Sequence, residues 1–291
     1  MLFKGCSTAL ITPFKKDGSV NFNVFKKIID YQIDNGVSSL VFLGTTGESS
    51  TLTEVEREEV VKFAVEYVNK RVPVIIGAGS NSTSEAIKRS VRFEELGADA
   101  LLHVTPYYNK TTQKGLIEHY SKIAQSVKIP IILYNVPSRT GVNILPQTVF
   151  ELSKVKNIVG IKEASGNIEQ VAEISRICGK DFAIYSGDDA LTLSILCLGG
   201  SGVISVASNA LPKKMVEICE HYFIGNIEHA RELQFKMNPF IKLMFSEVNP
   251  IPIKYTMKKV GFDCGKPRLP LLEPLNKTKL SIGKCLKTFN N

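Results

Sequence analysis

Residues 158–167 read IVGIKEASGN. The run Ile158-Val159-Gly160-Ile161 is apolar throughout, and Lys162 and Glu163 follow it before a turn of small residues. Continuous rather than alternating apolarity marks a strand buried on both faces, as in a parallel sheet. Seven other runs share this character: CSTALI (6–11), SSLVFL (38–43), PVIIG (73–77), DALLHV (99–104), PIILYN (130–135), FAIYSG (182–187) and GVISV (202–206). A turn and an amphipathic segment follow each. Thr53-Glu54-Val55-Glu56 predicts a capping box at a helix start, and Ser82-Thr83-Ser84-Glu85 repeats the pattern. Pro146 and Pro212 fall where a first helical turn begins. Asn35-Gly36 and Leu96-Gly97 mark helix ends. Eight strand-then-helix units predict an α/β fold, a (β/α)8 TIM barrel, over residues 1–225. An open doubly wound sheet is the alternative. Residues 226–291 read as a C-terminal helical extension: helices over 226–245 and 253–260 flank a rigid Asn249-Pro250-Ile251-Pro252 turn, and a last helix covers Asn276 to Lys287.

The bulk composition suits a globular chain: 291 residues, 44% apolar and 22% charged. No apolar run is long enough to span a bilayer. The segment before Pro13 is too short for a signal peptide, and a cytoplasmic location is expected. Cysteines at 6, 178, 197, 219, 264 and 285 form no C-x-x-C pair, and histidines at 103, 119, 221 and 229 form no H-E-x-x-H, so no metal site is expected. The net charge of +8 is spread along the chain without basic blocks or tryptophan. It suits an anionic small substrate better than nucleic acid, whose binding would be steeply salt-dependent. Gly77-Ala78-Gly79-Ser80-Asn81-Ser82 lacks the third glycine of a dinucleotide loop and reads as a plain turn.

In a barrel, reacting groups project from the C-terminal strand ends. Gathered there are Gly44-Thr45-Thr46-Gly47-Glu48, Thr105-Pro106-Tyr107-Tyr108-Asn109, Tyr134-Asn135 with the loop to Gly141, Lys162, and Gly187-Asp188-Asp189. A lysine at a strand end can simply snorkel to water. Beside these neighbours a second reading is stronger. Desolvation favours the neutral amine of a lysine, and a neutral amine attacks a ketone to form a Schiff base. Tyr134, Thr45 and Tyr108 offer hydroxyls for proton transfer. The backbone N–H groups of residues 44–47 can cradle a carboxylate, and Arg139 can pair with a second one.

The segments GTTGE (44–48), TPYYN (105–109), YNVPSRTG (134–141), GIKEASG (160–166), SGDD (186–189) and NPIPIK (249–254) resemble bacterial dihydrodipicolinate synthases, colinearly over nearly the whole chain. The wider class I pyruvate-dependent aldolase superfamily shares the G-x-T-x-E and Y-x-x-P motifs. The resemblance implies condensation of pyruvate with L-aspartate 4-semialdehyde, with Lys162 as the Schiff-base residue and Tyr134, Thr45 and Tyr108 as the proton relay. Thr45 and Thr46 would hold the pyruvate carboxylate, Gly187 and Ile204 would line the site, and Arg139 would take the semialdehyde's carboxylate. No metal or organic cofactor is implied. A homo-oligomer is, often a dimer of dimers, because the tyrosine matching Tyr108 is lent by a neighbouring subunit. Ser49, Asn81, Glu85 and Tyr107 match the site where lysine binds in members that it inhibits. Glu54 and Arg57 stand where such members carry histidines, so weak or absent inhibition is expected.

Two other function classes compete. A sibling aldolase, such as N-acetylneuraminate lyase or a 2-keto-3-deoxy sugar acid aldolase, keeps the lysine and tyrosine but has no need of a cation at 139. A non-catalytic barrel that senses a small anion has no need of the lysine and the hydroxyls together.

Overall fold

The computed structural model describes residues 2–289. The outer bounds of the two expected domains, residues 1 and 291, lie outside the described residues. Eight parallel strands close into a barrel: β1 (Gly5–Ala9), β2 (Ser39–Phe42), β3 (Val74–Gly77), β4 (Ala100–Val104), β5 (Ile131–Asn135), β6 (Ile158–Glu163), β7 (Ala183–Ser186) and β8 (Gly202–Ser205). Strand β8 pairs back onto β1, with Gly5 opposite Gly202, so the open-sheet alternative is excluded. The crossover helices are α1 (Phe22–Asp34), α2 (Glu54–Val68), α3 (Thr83–Glu95), α4 (Gln113–Ser126), the single turn α5 (Pro137–Thr140), α6 (Pro146–Ser153), α7 (Ile168–Cys178), α8 (Thr192–Cys197) and α9 (Pro212–Phe223). Three more follow: α10 (Ile227–Met244), α11 (Ile251–Lys259) and α12 (Asn276–Lys287).

Local chemistry sets the helix starts. Thr53 caps α2 with both halves of the box, its hydroxyl on the Glu56 N–H and the Glu56 carboxylate on its own N–H. Ser82 makes only one half: its hydroxyl accepts from the Glu85 N–H, but its own N–H goes to the Ser80 hydroxyl. Asn249-Pro250-Ile251-Pro252 is likewise less of a turn than expected. Ile251 and Pro252 already belong to α11, where proline's missing N–H costs nothing in the first turn.

Alternation along the strands builds two cores. The inward cluster includes Val41, Ile75, Leu102, Ile132, Tyr134, Tyr185 and Ile204. A larger shell fills the space between strands and helices, and the tail helices join it through Met237, Phe240 and Met257. Tail and barrel also share hydrogen bonds, such as Gln234 Nε2 to the Asp189 carbonyl at 3.2 Å.

Two buried histidines lie behind the barrel wall. His103, on β4, meets the Ser90 hydroxyl of α3 at 3.1 Å. His119, on α4, meets Thr83 at 2.9 Å. Burial pushes them down to about 3 and about 4 respectively, with the nearby His119 adding to the effect on His103. Among the described residues no helix is long and apolar enough to cross a membrane.

Candidate active site

Strand register sets the first geometry. Tyr134 on β5 is paired with Lys162 on β6, and Lys162 with Tyr185 on β7. All three side chains therefore share the inward face. Lys162 is 5% exposed. Its Nζ lies 4.4 Å from the centroid of the Tyr134 ring. The other buried lysine, Lys254, is paired with a carboxylate at 2.6 Å. Lys162 joins none of the ion pairs of the described residues, so no carboxylate competes for its amine. Gly187, at the end of β7, gives this lysine room. A Cβ there would stand 2.7 Å from the Ala164 Cβ and 3.1 Å from the Lys162 Cε. Ile204 is buried in the same inward cluster as Tyr134.

Above Tyr134 opens a cavity of about 280 Å3. Thr45, Gly44, Tyr134 and Arg139 line it, together with Ser49, Arg57, Arg89 and Tyr107. Three of these side chains are guanidiniums, and no carboxylate is in the lining. Glu54, outside the lining, pairs with Arg57 and Arg89, so Arg139 is the guanidinium in the lining without an ion-pair partner among the described residues, which suits an anion. Arg139 reaches it from the one-turn helix α5, started by Pro137. Lys162, Thr46, Gly187 and Ile204 are not in the cavity's lining. A larger cavity, of about 780 Å3, lies between Phe14, Lys254 and Arg268, and its lining contains none of the expected catalytic residues.

The chain carrying Thr45 and Thr46 is tightly fixed. Leu43 and Glu48 bracket it in the left-handed conformation, at φ 55° and 53°. Non-glycine residues pay for this conformation and hold it only where the surroundings impose it. Those surroundings are visible. The Thr12 hydroxyl donates to the Gly47 carbonyl at 2.7 Å. Asn249 Nδ2 donates to the Thr46 hydroxyl at 3.0 Å. Lys254 Nζ donates to Glu48 Oε1 at 2.6 Å, with side-chain exposures of 1% and 0%. The second oxygen of Glu48 accepts the Arg268 N–H at 2.8 Å. Burial holds the Lys254 amine below the usual lysine range, although Glu48 pulls the other way.

Tyr108 stands apart from the other expected catalytic residues. It is 93% exposed, has φ 70°, and is not part of its own chain's cavity. Tyr107, beside it, does line that cavity.

The residues matching a lysine site fall around a charge cluster. Glu54 Oε1 accepts from Arg57 and from Arg89, the latter at 2.6 Å. Arg57 also donates to the Ser49 carbonyl at 2.7 Å. Burial first, and then the Arg89 charge, lower the Arg57 pKa. Glu85 is exposed on α3, and the Asn81 carbonyl accepts from Asn109 at 2.9 Å.

Sequence reading gave no role to three contributors to this architecture. Arg89 carried no local motif, and Glu163 and the tail residues Asn249 and Lys254 lie in the GIKEASG and NPIPIK segments without any local sign of their partners. Glu163 is buried on the outward face of β6. Its carboxylate accepts from Asn135 at 2.9 Å, Gln170 at 3.1 Å and the Ser165 N–H at 2.6 Å. Period-two alternation was the available signal: once Lys162 faces inward, Glu163 faces the helices and must find donors there.

Residues 2–289 match the dihydrodipicolinate synthetase family. The chain belongs to this family. It is 52% identical over 281 residues to the 4-hydroxy-tetrahydrodipicolinate synthase of Alkaliphilus oremlandii, covering 96% of this chain and 97% of that one. It is 53% identical over 285 residues to the enzyme of the same name from Caldicellulosiruptor saccharolyticus, covering 98% and 96%. Among solved structures, the dihydrodipicolinate synthase of Thermotoga maritima superposes with a TM-score of 0.98 at 45% identity, covering 100% of this chain and 99% of that one.

Proposed function

We propose that this chain is a lyase that condenses pyruvate with L-aspartate 4-semialdehyde through a lysine Schiff base. The product is 4-hydroxy-tetrahydrodipicolinate, on the route to diaminopimelate and lysine. Family membership supports the reaction. The observation that carries the mechanism is the inward Lys162, free of carboxylates and seated against the Tyr134 ring.

In this reading the Lys162 amine attacks the pyruvate ketone carbon, and water leaves as the imine forms. The protonated imine draws electrons from the neighbouring methyl group. Loss of a methyl proton gives an enamine, whose carbon bonds to the aldehyde carbon of the second substrate. The semialdehyde's amine then attacks the imine carbon, closes the ring and releases Lys162. Tyr134, Thr45 and Tyr108 carry the protons. Thr45 and Thr46 hold the pyruvate carboxylate, and Gly187 and Ile204 shape the floor. Arg139 holds the semialdehyde's carboxylate; its place in the cavity, without an ion-pair partner among the described residues, supports this.

The exposure of Tyr108 supports its being lent to a neighbouring subunit. The proposed working form is a homo-oligomer, in the family pattern a dimer of dimers, working in the cytoplasm. Residues 1–225 act as the catalytic barrel and 226–291 as a helical domain behind its mouth.

The test is pyruvate consumption by purified protein with either acceptor. Consumption with the semialdehyde and none with N-acetylmannosamine is expected. Consumption with the amino sugar alone would move the chain to the sialic acid lyases. Borohydride trapping with pyruvate alone reads the imine directly.

A further inference from the structure

The GTTGE and NPIPIK motifs lie at opposite ends of the sequence, and the structure joins them. Glu48 closes the loop that carries Thr45 and Thr46. Its carboxylate has no access to water and is held by Lys254 Nζ at 2.6 Å and by the Arg268 N–H at 2.8 Å. Lys254 sits over the Phe14 ring at 4.1 Å and also reaches the Lys266 carbonyl at 3.4 Å. Neither residue lines the cavity above Tyr134. A buried ion pair is poor evidence for added stability, because desolvating two charges offsets most of their attraction. An apolar pair would pack as well. What a charged pair adds is direction: it fixes one carboxylate at one place and so fixes the backbone that bears it.

That backbone carries Thr45 and Thr46, which in the proposed function hold the carboxylate of the first substrate. The Glu48 N–H bonds the Thr45 carbonyl at 3.1 Å, and the Ser49 N–H reaches the Gly44 carbonyl at 3.5 Å. Glu48 also keeps a left-handed φ that its side-chain anchoring imposes. From this geometry we infer that Lys254 and Glu48 are positioning residues for the pyruvate subsite. They act through the Thr45–Thr46 loop, so that the helical tail sets the affinity for the first substrate. The inference rests on the functional reading above.

The specificity of the effect is what can be tested. Removing one partner leaves a buried unpaired charge and threatens folding. The informative variant is therefore the double one, Glu48→Gln with Lys254→Met, which removes both charges at near-constant volume. Borohydride trapping of pyruvate reads the first subsite alone, and steady-state kinetics reads both. The expected result is a rise of about tenfold or more in the pyruvate concentration for half-maximal trapping and in KM for pyruvate. KM for the semialdehyde and the thermal midpoint should stay close to wild type, while kcat falls with the pyruvate affinity because the same loop carries Thr45 of the proton relay. A double variant that traps pyruvate at wild-type concentrations overturns the inference. So does one in which both KM values and kcat deteriorate together with the thermal midpoint, since that is a general scaffold effect. Wild-type protein that traps no pyruvate at all refutes the functional reading, and this inference with it. Trapping that shifts in the double variant alone separates the two.

Discussion

Replacing Gly187 by alanine tests the packing around Lys162 most directly. The added methyl would meet three neighbours: the Ala164 Cβ at 2.7 Å, the Glu163 carbonyl oxygen at 3.1 Å and the Lys162 Cε at 3.1 Å. Ordinary carbon contacts lie at about 3.5–4.0 Å, well beyond the first of these. The Ala164 methyl cannot rotate away, so the chain must move there. The lysine can yield by rotation, which carries its amine off the Tyr134 ring. Overpacking of this kind costs roughly 1–3 kcal/mol. Displacing a reacting atom by a fraction of an ångström to 1 Å costs roughly 10- to 100-fold in rate. Urea unfolding should show the first effect and single-turnover imine formation the second. A second variant separates them. Ala164→Gly in the Gly187→Ala background removes the tightest contact but leaves the one to Lys162. Stability should largely return while imine formation stays slow. Wild-type stability and wild-type trapping in the single variant would refute the packing argument. Full recovery of both in the double variant would show that the Lys162 contact has no catalytic weight.

Three other outcomes are expected. Lys162→Ala should fold normally and yield no borohydride-stable pyruvate adduct by mass spectrometry; an undiminished adduct would place the imine elsewhere. His103 and His119 are held neutral in the folded chain, at about 3 and about 4, whereas they protonate near 6.5 when unfolded. The unfolded chain then binds more protons below pH 6.5, so stability falls as pH drops through that value and stops falling, for these groups, near pH 3. Between pH 7 and 5.5 the loss is about 1 kcal/mol per histidine, read as a lower urea midpoint, and a flat midpoint would contradict it. Lysine should inhibit weakly or not at all, because Glu54 already occupies the two guanidiniums of Arg57 and Arg89; half-inhibition below about 1 mM in a coupled assay would count against this.

The barrel was legible because its signal is local and repeated. Each strand, buried on two faces, needs an unbroken apolar run, and eight such runs leave little choice of topology. The inward position of Lys162 beside Tyr134 follows from the same alternation once the strands are in register. The legible part ends where a side chain has more than one suitable partner. Ser82 had a glutamate three residues on, yet its N–H went to Ser80. Pro252 looked like a turn residue but fits a first helical turn equally well. Gly77 and Gly79 resembled part of a nucleotide loop; a Cβ on Gly77 would lie 2.2 Å from the Leu43 carbonyl oxygen, so strand-to-loop packing explains the residue. Tyr108 lies among the sequence-predicted catalytic residues, but its own chain turns it into solvent. The pairing of Glu48 with Lys254 had no local signature, since each residue taken alone reads as an ordinary charged side chain.

That pairing also bears on how the protein is made. Glu48 and Lys254 are 206 residues apart in sequence. At ordinary rates of synthesis, about 5–20 residues per second, roughly 10–40 s pass between their emergence. Strands β3 to β8 are added in that interval, β1 and β2 having preceded Glu48, while a carboxylate destined for complete burial is without its cation. Burying Glu48 before Lys254 is present would leave an unpaired charge in the core, so this contact of the native loop can form only after Lys254 has been added to the chain.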